Sequence, residues 1–322
     1  MNALKQQNTA EILNFSILCL KCDVMLSTRH EVFMEVAHQK SFSKASQVLF
    51  ISQPAVSNHI KGLEEQYKTK LFERKGLQIE LTEAGHLLYN RLLAVKLIQK
   101  ETEFDISVMH DKQQATGILN LGASTTAALY ILPRVMSAFH REYPQVDISL
   151  LNRNSEIVLQ ALLDKEINIG VTEEKGKLTN ITYQPFVKDQ IVAVCSQDNP
   201  LARKKVYSLK ELLNMSVAIR ERGSGTLEAI KKGLAKSKIR LNDLKINIKL
   251  GGTEALKNFL LESDCVGFLS TRSIMKELQH GELVILQFEG LRIERSFYFI
   301  QRKGETSELN KRFIKMARSL YN

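Results

Sequence analysis

A chain of 322 residues with 44% hydrophobic and 25% charged residues has the balance of a folded globular protein and the length for two or three units, which excludes a wholly disordered tail. Its net charge of +10 is unevenly spread: residues 25–112 hold 12 Lys/Arg against 11 Asp/Glu, and residues 113–322 hold 31 against 22. The basic excess therefore lies outside the N-terminal third, and net charge alone does not argue for a nucleic-acid partner.

No apolar run reaches the roughly 18 residues that a membrane span needs, so the chain reads as soluble and cytoplasmic, with no membrane partner. Residues 1–24 include the apolar run Ile12 to Leu20, but no basic segment precedes it and no small-residue cleavage site follows. They read as an N-terminal extension, with Met25 opening the first domain. Cys19 and Cys22 form a C-x-x-C without a second pair at zinc-ribbon spacing. Cys195 and Cys265 stand in apolar surroundings and read as buried thiols. No metal or cofactor is called for.

The first helical pattern runs from Arg29 to Gln39, with Val32, Phe33, Val36 and Ala37 on one face. Ser43 is a candidate N-cap for a short second helix through Leu49, and Ile51 plugs the turn. A third helix starts at Ser52–Gln53 with Pro54 in its first turn, where the missing N–H costs nothing. It turns Val56, Ile60, Leu63 and Tyr67 inward. Its other face carries Gln53, Ser57 and Lys61, flanked by Asn58 and His59: donors and acceptors suited to base edges and phosphates. KLFERKGLQIEL then alternates around Gly76 as a two-stranded wing bearing Arg74 and Lys75, which can reach a minor groove. Ser43, Lys44, Ser52, Gln53, Pro54, Ser57, Asn58, His59, Lys61 and Arg74 make up the candidate DNA-binding set.

The stretch SFSKASQVLFISQPAVSNHIKGLEEQYKTKLFERKGLQIELTEAG resembles the winged helix-turn-helix of the LysR-type transcriptional regulators. Ala45, Leu49, Ser52-Gln53-Pro54-Ala55-Val56-Ser57, Ile60, Leu63-Glu64, Leu71-Phe72-Glu73-Arg74 and Leu81-Thr82-Glu83-Ala84-Gly85 follow the family's order and spacing without a gap. Two positions depart: Ser46, where the family often has alanine, and Asn58, where a basic residue is common. The resemblance implies a DNA-binding domain over 25–82, with its helix-turn-helix motif at 41–60, and duplex DNA at a promoter operator as partner.

Thr82 can cap a long helix over 83–112, whose stripe Leu88, Leu92, Val95 and Ile98 is interrupted by QKETE before Ile106 and Met109. The stripe can pack on its own domain. In the family the equivalent helix pairs two subunits, which implies a homodimer with recognition helices about 34 Å apart, and a homotetramer through the sensor domains.

From Gly117 the texture alternates: GILNLGAS, VDISLL, INIGVT, DQIVAVCS, SVAIRE, KINIKLGG and CVGFLS read as strands between helices. TTAALYILPRVMSAFHREYP reads as loop and helix. This half resembles the family's effector domain, which implies an α+β multidomain chain whose last part is a two-lobed α/β, periplasmic-binding-protein-like domain over 113–322. Lobe I takes 113–187 and 289–322, lobe II takes 188–288, and the crossings fall near Phe186–Lys188 and Phe288–Leu291. Asn168 and Asp264 depart from the family's usual aspartate and glycine.

Such folds bind ligands at the carboxyl ends of strands. That places a small-molecule effector among Ser124, Thr125, Thr126, Asn154, Ser155, Arg220, Ser224, Gly225, Thr226 and Thr253, each of which also reads as part of a helix start. Hydroxyls, helix N-termini and the arginines Arg220 and Arg222 favour an anion. The competing view pairs these arginines with acidic neighbours such as Glu221 and leaves the cleft to an apolar metabolite. G-x-x-x-x-G-K-[ST], H-E-x-x-H and G-x-S-x-G are all absent from the sequence, so no enzyme is expected. Two alternatives remain: a redox-responsive regulator using Cys195 and Cys265, and a free-standing solute-binding protein, which would have no use for residues 29–81.

Overall fold

The computed structural model describes residues 26–75, 78–173, 175–204, 206–305 and 307–321. The expected N-terminal extension with Cys19 and Cys22, Met25 and the wing tip at Gly76 lie outside them. The chain forms two compact units that divide between Glu103 and Phe104.

In the first unit α1 (Thr28–Gln39), α2 (Phe42–Val48) and α3 (Gln53–Tyr67) enclose Val32, Phe33, Val36, Ala45, Val56, Ile60 and Leu63. The apolar residues of α3 recur at helical spacing, so one face of it is buried. Tyr67, expected on that face, is 43% exposed because the helix outruns the core; its hydroxyl lies 3.3 Å from His30 Nε2. The cap of α2 is Ser41, whose hydroxyl accepts from the Lys44 N–H at 3.3 Å, not Ser43. Ser43 sits inside α2 and donates to Gln53 Oε1 at 3.3 Å. Ser52 caps α3 by accepting from the Ala55 N–H.

The wing is β1 (Phe72–Lys75) paired antiparallel with β2 (Gln78–Leu81), and specific residues fasten it. Glu64 accepts from the Leu71 N–H at 2.9 Å and from Lys70 Nζ at 2.6 Å. Thr82 donates to the Lys70 carbonyl at 2.7 Å and accepts from the Gly85 N–H at 3.0 Å. A Cβ on Gly85 would stand 2.1 Å from the Leu71 carbonyl oxygen, so only glycine lets α4 (Glu83–His110) approach the wing this closely. Leu88, Leu92 and Val95 of α4 pack on the first unit's core, while Leu87, Leu93 and Ile98 stay exposed.

In the second unit β3 (Gly117–Ser124), β4 (Val146–Arg153), β5 (Ile169–Glu173), β6 (Ile181–Ser196), β7 (Val206–Tyr207), β8 (Ser216–Arg220), β9 (Lys245–Leu250), β10 (Val266–Ser270), β11 (Leu283–Phe288) and β12 (Ile293–Arg302) are linked in the order β4-β3-β5-β12-β6-β10-β8-β9, with β11 on β6 and β7 on β11. The sheet is built as two lobes. β3 pairs parallel with β4 and β5, β8 pairs parallel with β9 and β10, and the long antiparallel strands β6 and β12 pass through both.

Helices cover each lobe: α5 (Thr125–Tyr130), α6 (Leu132–Glu142), α7 (Ser155–Leu163) and α12 (Glu308–Tyr321) on the first, and α8 (Leu209–Leu212), α9 (Gly225–Lys236), α10 (Thr253–Leu261) and α11 (Met275–His280) on the second. The separate cores centre on Phe139, Phe297, Phe299 and Phe313 and on Val217, Ile230, Val266 and Phe268. The expected loop before the helix of TTAALYILPRVMSAFHREYP is instead a helix of its own, α5, with Pro133 starting the next. β6 begins eight residues before the expected Asp189. Pro185 interrupts its pattern, and beside it the β6–β12 register shifts: β6 advances three residues, from Lys188 to Pro185, where β12 advances two, from Ser296 to Tyr298.

Candidate DNA-reading face and effector cleft

On the first unit Ser43, Lys44, Ser52, Gln53, Pro54, Ser57, Asn58, Lys61 and Arg74 are exposed, and His59 is half-buried. Ser57 and Lys61 of α3 and Arg74 of the wing line one cleft of about 410 Å³. The Ser43–Gln53 hydrogen bond ties α2 to the first turn of α3, orienting the amide at the end of the helix that would enter a groove. The exposed pair Lys61–Glu65, 3.8 Å apart, is weak and leaves the ammonium available to phosphate.

On the second unit the two lobes touch through side chains at strand ends. Arg220 closes β8 and is 2% exposed. Its Nη1 donates to Thr125 Oγ1 at 3.1 Å and Thr253 Oγ1 at 2.9 Å, and its Nε and Nη2 donate to Glu221 at 2.7 and 2.8 Å. The Thr253 hydroxyl also lies 2.9 Å from that of Thr125 and 3.3 Å from that of Thr126. One guanidinium therefore joins the start of α5 to the start of α10. Burial pushes the Glu221 carboxyl up, but the Arg220 hydrogen bonds and charge outweigh it and hold the group below its ordinary value. Arg220 is thus charge-compensated, as the competing sequence view has it, and is not a free anion partner.

A second junction lies beside it. Asn154 caps α7 by accepting from the Ile157 N–H at 3.0 Å, and its Nδ2 donates to the Arg222 carbonyl at 3.5 Å. The Glu156 N–H donates to the Gly223 carbonyl at 3.3 Å. Gly223 has φ +82° and Gly225 would bring a Cβ to 2.3 Å from Glu173 Oε2, so this turn needs glycine both for conformation and for approach. Glu173 accepts from the Ser155 hydroxyl and from Arg295 Nη1 at 3.0 Å. Arg295 Nη1 donates also to Thr226 Oγ1 at 2.7 Å, and Arg295 Nε donates to Asp189 at 2.7 Å.

Of the residues named from sequence, Thr125, Thr126, Arg220 and Thr253 meet in the first junction. Asn154, Ser155, Gly225 and Thr226 meet in or beside the second. Ser124 and Ser224 are buried at helix starts without capping them, and Ser124 Oγ has no hydrogen-bond partner among the described residues.

Sequence reasoning missed Glu173, Asp189, Arg295 and a third link, Lys257. Glu173 ends β5 and follows the same strand-end rule that picked out the others; Arg295 lies inside a strand and has no local signal. Lys257 donates to Glu277 at 2.7 Å and to Tyr130 Oη and the Ser273 carbonyl at 3.3 Å each. Burial pushes its ammonium down, but the Glu277 and Glu254 carboxylates outweigh it and raise it.

The two halves match two family models: "Bacterial regulatory helix-turn-helix protein, lysR family" over residues 28–86 and "LysR substrate binding domain" over residues 112–321. The chain belongs to the LysR family of transcriptional regulators. This LysR-type regulator is 34% identical over 285 residues to the uncharacterized HTH-type transcriptional regulator YeiE of Escherichia coli K12, covering 88% of this chain and 94% of that one. It is 28% identical over 292 residues to the HTH-type transcriptional regulator CysL of Bacillus subtilis, covering 90% and 96%. Its effector domain is similar to the regulatory domain of Synechocystis CcmR solved in complex with 2-PG: TM-score 0.58, 26% identity, 64% of this chain and 98% of that one.

The LysR-type regulator places its two described cysteines in different packing clusters, Cys195 in one lobe core and Cys265 against the layer around Leu256 and Leu260. Burial pushes the Cys195 thiol up to about 11, leaving it protonated at neutral pH and a poor nucleophile. Among the described residues no group of three or more His, Cys, Asp or Glu is placed to hold a metal, and no helix is long and apolar enough to cross a membrane.

Proposed function

We propose that this LysR-type regulator reads duplex DNA through Gln53, Ser57, Asn58 and Lys61 of α3 and Arg74 of the wing. Ser43, Lys44, Ser52, Pro54 and His59 support that face, and a small anionic effector bound between the lobes controls it. The observation that carries the effector reading is the hydroxyl network at the lobe junction: Thr125, Thr126 and Thr253 converge, and the adjoining Ser124 has a buried hydroxyl with no hydrogen-bond partner among the described residues. Because Arg220 and Arg295 are matched by Glu221, Asp189 and Glu173, the attraction for an anion comes from those hydroxyls and from the N-termini of α9 and α10, whose N–H groups and dipoles favour negative charge. The similar CcmR domain, solved in complex with 2-PG, supports control by a small molecule.

The protein acts in the cytoplasm and has no catalytic activity of its own. It works as a dimer through the exposed apolar residues of α4, Ile98, Ile106 and Met109, and as a tetramer through its sensor domains.

Thermal shift tests the effector class. A ligand at about 100 times its dissociation constant adds roughly 2.7 kcal/mol to stability, so small organic and inorganic acids should raise the melting temperature where neutral aromatics do not. Ser124→Ala and Thr125→Ala should reduce the shift. Stabilisation by neutral compounds alone, or shifts untouched by both substitutions, overturns the anion reading.

A further inference from the structure

We propose that the Glu221 carboxylate is a tethered stand-in for the effector's anionic head. The effector expels it from Arg220 and from the start of α10, and the head that does so carries two oxygens on one centre, as a carboxylate or a sulfur or phosphorus oxyanion does. The proposal rests on the reading of the lobe junction as the anion site and deepens it by naming what the anion must displace.

Glu221 follows β8 and holds the donors that a bound anion needs. Its Oε2 accepts from Arg220 Nε at 2.7 Å and from the Gly252 N–H at 3.3 Å, and its Oε1 accepts from Arg220 Nη2 at 2.8 Å. Gly252 is the cap residue of α10, so the carboxylate sits at once on one edge of a guanidinium and on a helix N-terminus. The remaining nitrogen of that guanidinium, Nη1, reaches the Thr125 and Thr253 hydroxyls. The carboxyl is held below its ordinary value, so at neutral pH it is an anion that competes for these donors.

The two partners are unequally fixed. The Arg220 side chain is 2% exposed and that of Glu221 is 27% exposed. Moving the guanidinium strands a buried charge, whereas the carboxylate can turn toward water. The Glu221 N–H donates to the Leu250 carbonyl at 3.1 Å, which anchors the backbone and leaves release to side-chain rotation. A Cβ on Gly251 or Gly252 would meet nothing within 4 Å, so the turn beside the carboxylate borders open space. The fork of Nε and Nη2 matches two oxygens at carboxylate spacing and discriminates against a single-centre ion such as chloride. An anion that must expel a tethered rival binds with an apparent affinity reduced by the fraction of time the site stands open. Glu221 thereby sets the concentration at which the regulator responds.

The test is thermal-shift titration of the full chain with sodium acetate and with sodium sulfate, each replacing sodium chloride at constant ionic strength. Glu221→Ala should show a saturable shift with at least one of them, at an apparent Kd about tenfold below that of the unsubstituted chain. A response to acetate assigns a carboxylate head, and a response to sulfate a tetrahedral one. The isosteric Glu221→Gln, which keeps the side chain's shape, should tighten binding in the same direction, and the exposed control Glu289→Ala should leave it unchanged. Adding Arg220→Gln to Glu221→Ala should abolish the gain. Equal affinity with and without Glu221, weaker binding in both Glu221 variants, an equal gain in the control, or a gain that survives Arg220→Gln overturns the stand-in while leaving the anion reading of the junction in place. No saturable shift with either salt in any variant overturns both.

Discussion

Replacing Arg295 with methionine removes the guanidinium that joins the two lobes and takes from Asp189 and Glu173 the cation they share. The side chains of Arg295 and Asp189 are 0% exposed and that of Glu173 is 2% exposed. Breaking a buried ion pair by removing one partner costs about 3–5 kcal/mol, because the other charge stays buried without compensation. Asp189 keeps the Ser270 hydroxyl at 2.8 Å and Arg272 at 3.7 Å, and Glu173 keeps Ser155, which puts the loss toward the lower end of that range. Urea denaturation followed by far-ultraviolet circular dichroism measures it on the effector unit's transition; the chain has no tryptophan. The triple variant Arg295→Met, Asp189→Asn, Glu173→Gln should recover much of the loss, since no orphaned charge remains. A single variant that loses under about 1 kcal/mol, or a triple variant no more stable than the single, refutes the view that this network is a structural pin rather than a solvated cluster.

Gly85→Ala forces the α4 backbone off the Leu71 carbonyl, and overpacking of this kind costs about 1–3 kcal/mol; thermal melting should show the loss, and DNA binding should weaken as the wing shifts. Burial pushes the Glu277 carboxyl up, but the Lys257 hydrogen bond outweighs it and leaves the group below its ordinary value. Its contribution to stability is therefore present above the ordinary glutamate range and lost as the pH falls through the lowered value. Melting curves of Glu277→Gln across the acid range should show that part of the sensitivity gone. With its thiol at about 11 and buried, Cys195 should resist a thiol-modifying reagent at pH 8 until denaturant is added, as read by peptide mass spectrometry. Equal labelling with and without denaturant would contradict its burial.

The first unit was largely legible because its signals are local. Ser52 and Pro54 mark the start of α3, and Val56, Ile60 and Leu63 show its inward face. The cap of α2 is not legible locally: Ser41 and Ser43 are equally good capping residues two positions apart, and only Phe42 joining the helix decides for Ser41. The strands β3, β4 and β8 announced themselves by alternation or apolar runs, and their ends pointed to Thr125, Asn154 and Arg220. What those ends bind was not legible. Arg220 is neutralised by its own neighbour Glu221, and the contacts of Arg295 with Glu173 and Asp189 span separations of 122 and 106 residues that only the crossing of β6 and β12 brings together. The wing's fastening by Glu64, Thr82 and Gly85 gives the motif residues Leu63-Glu64 and Thr82-Glu83-Ala84-Gly85 a physical reason that spacing alone did not supply.

The central claim is that α3 and the wing read a specific DNA sequence, and footprinting of the protein on the region upstream of its own gene and its neighbour tests it most directly. The account predicts a protected, roughly palindromic site. Gln53→Ala should cost about 1–3 kcal/mol there and relax the discrimination between bases, while Arg74→Ala should weaken binding to all sequences alike and flatten its salt dependence. No protection at any sequence, at low salt and with small acids added, would contradict it.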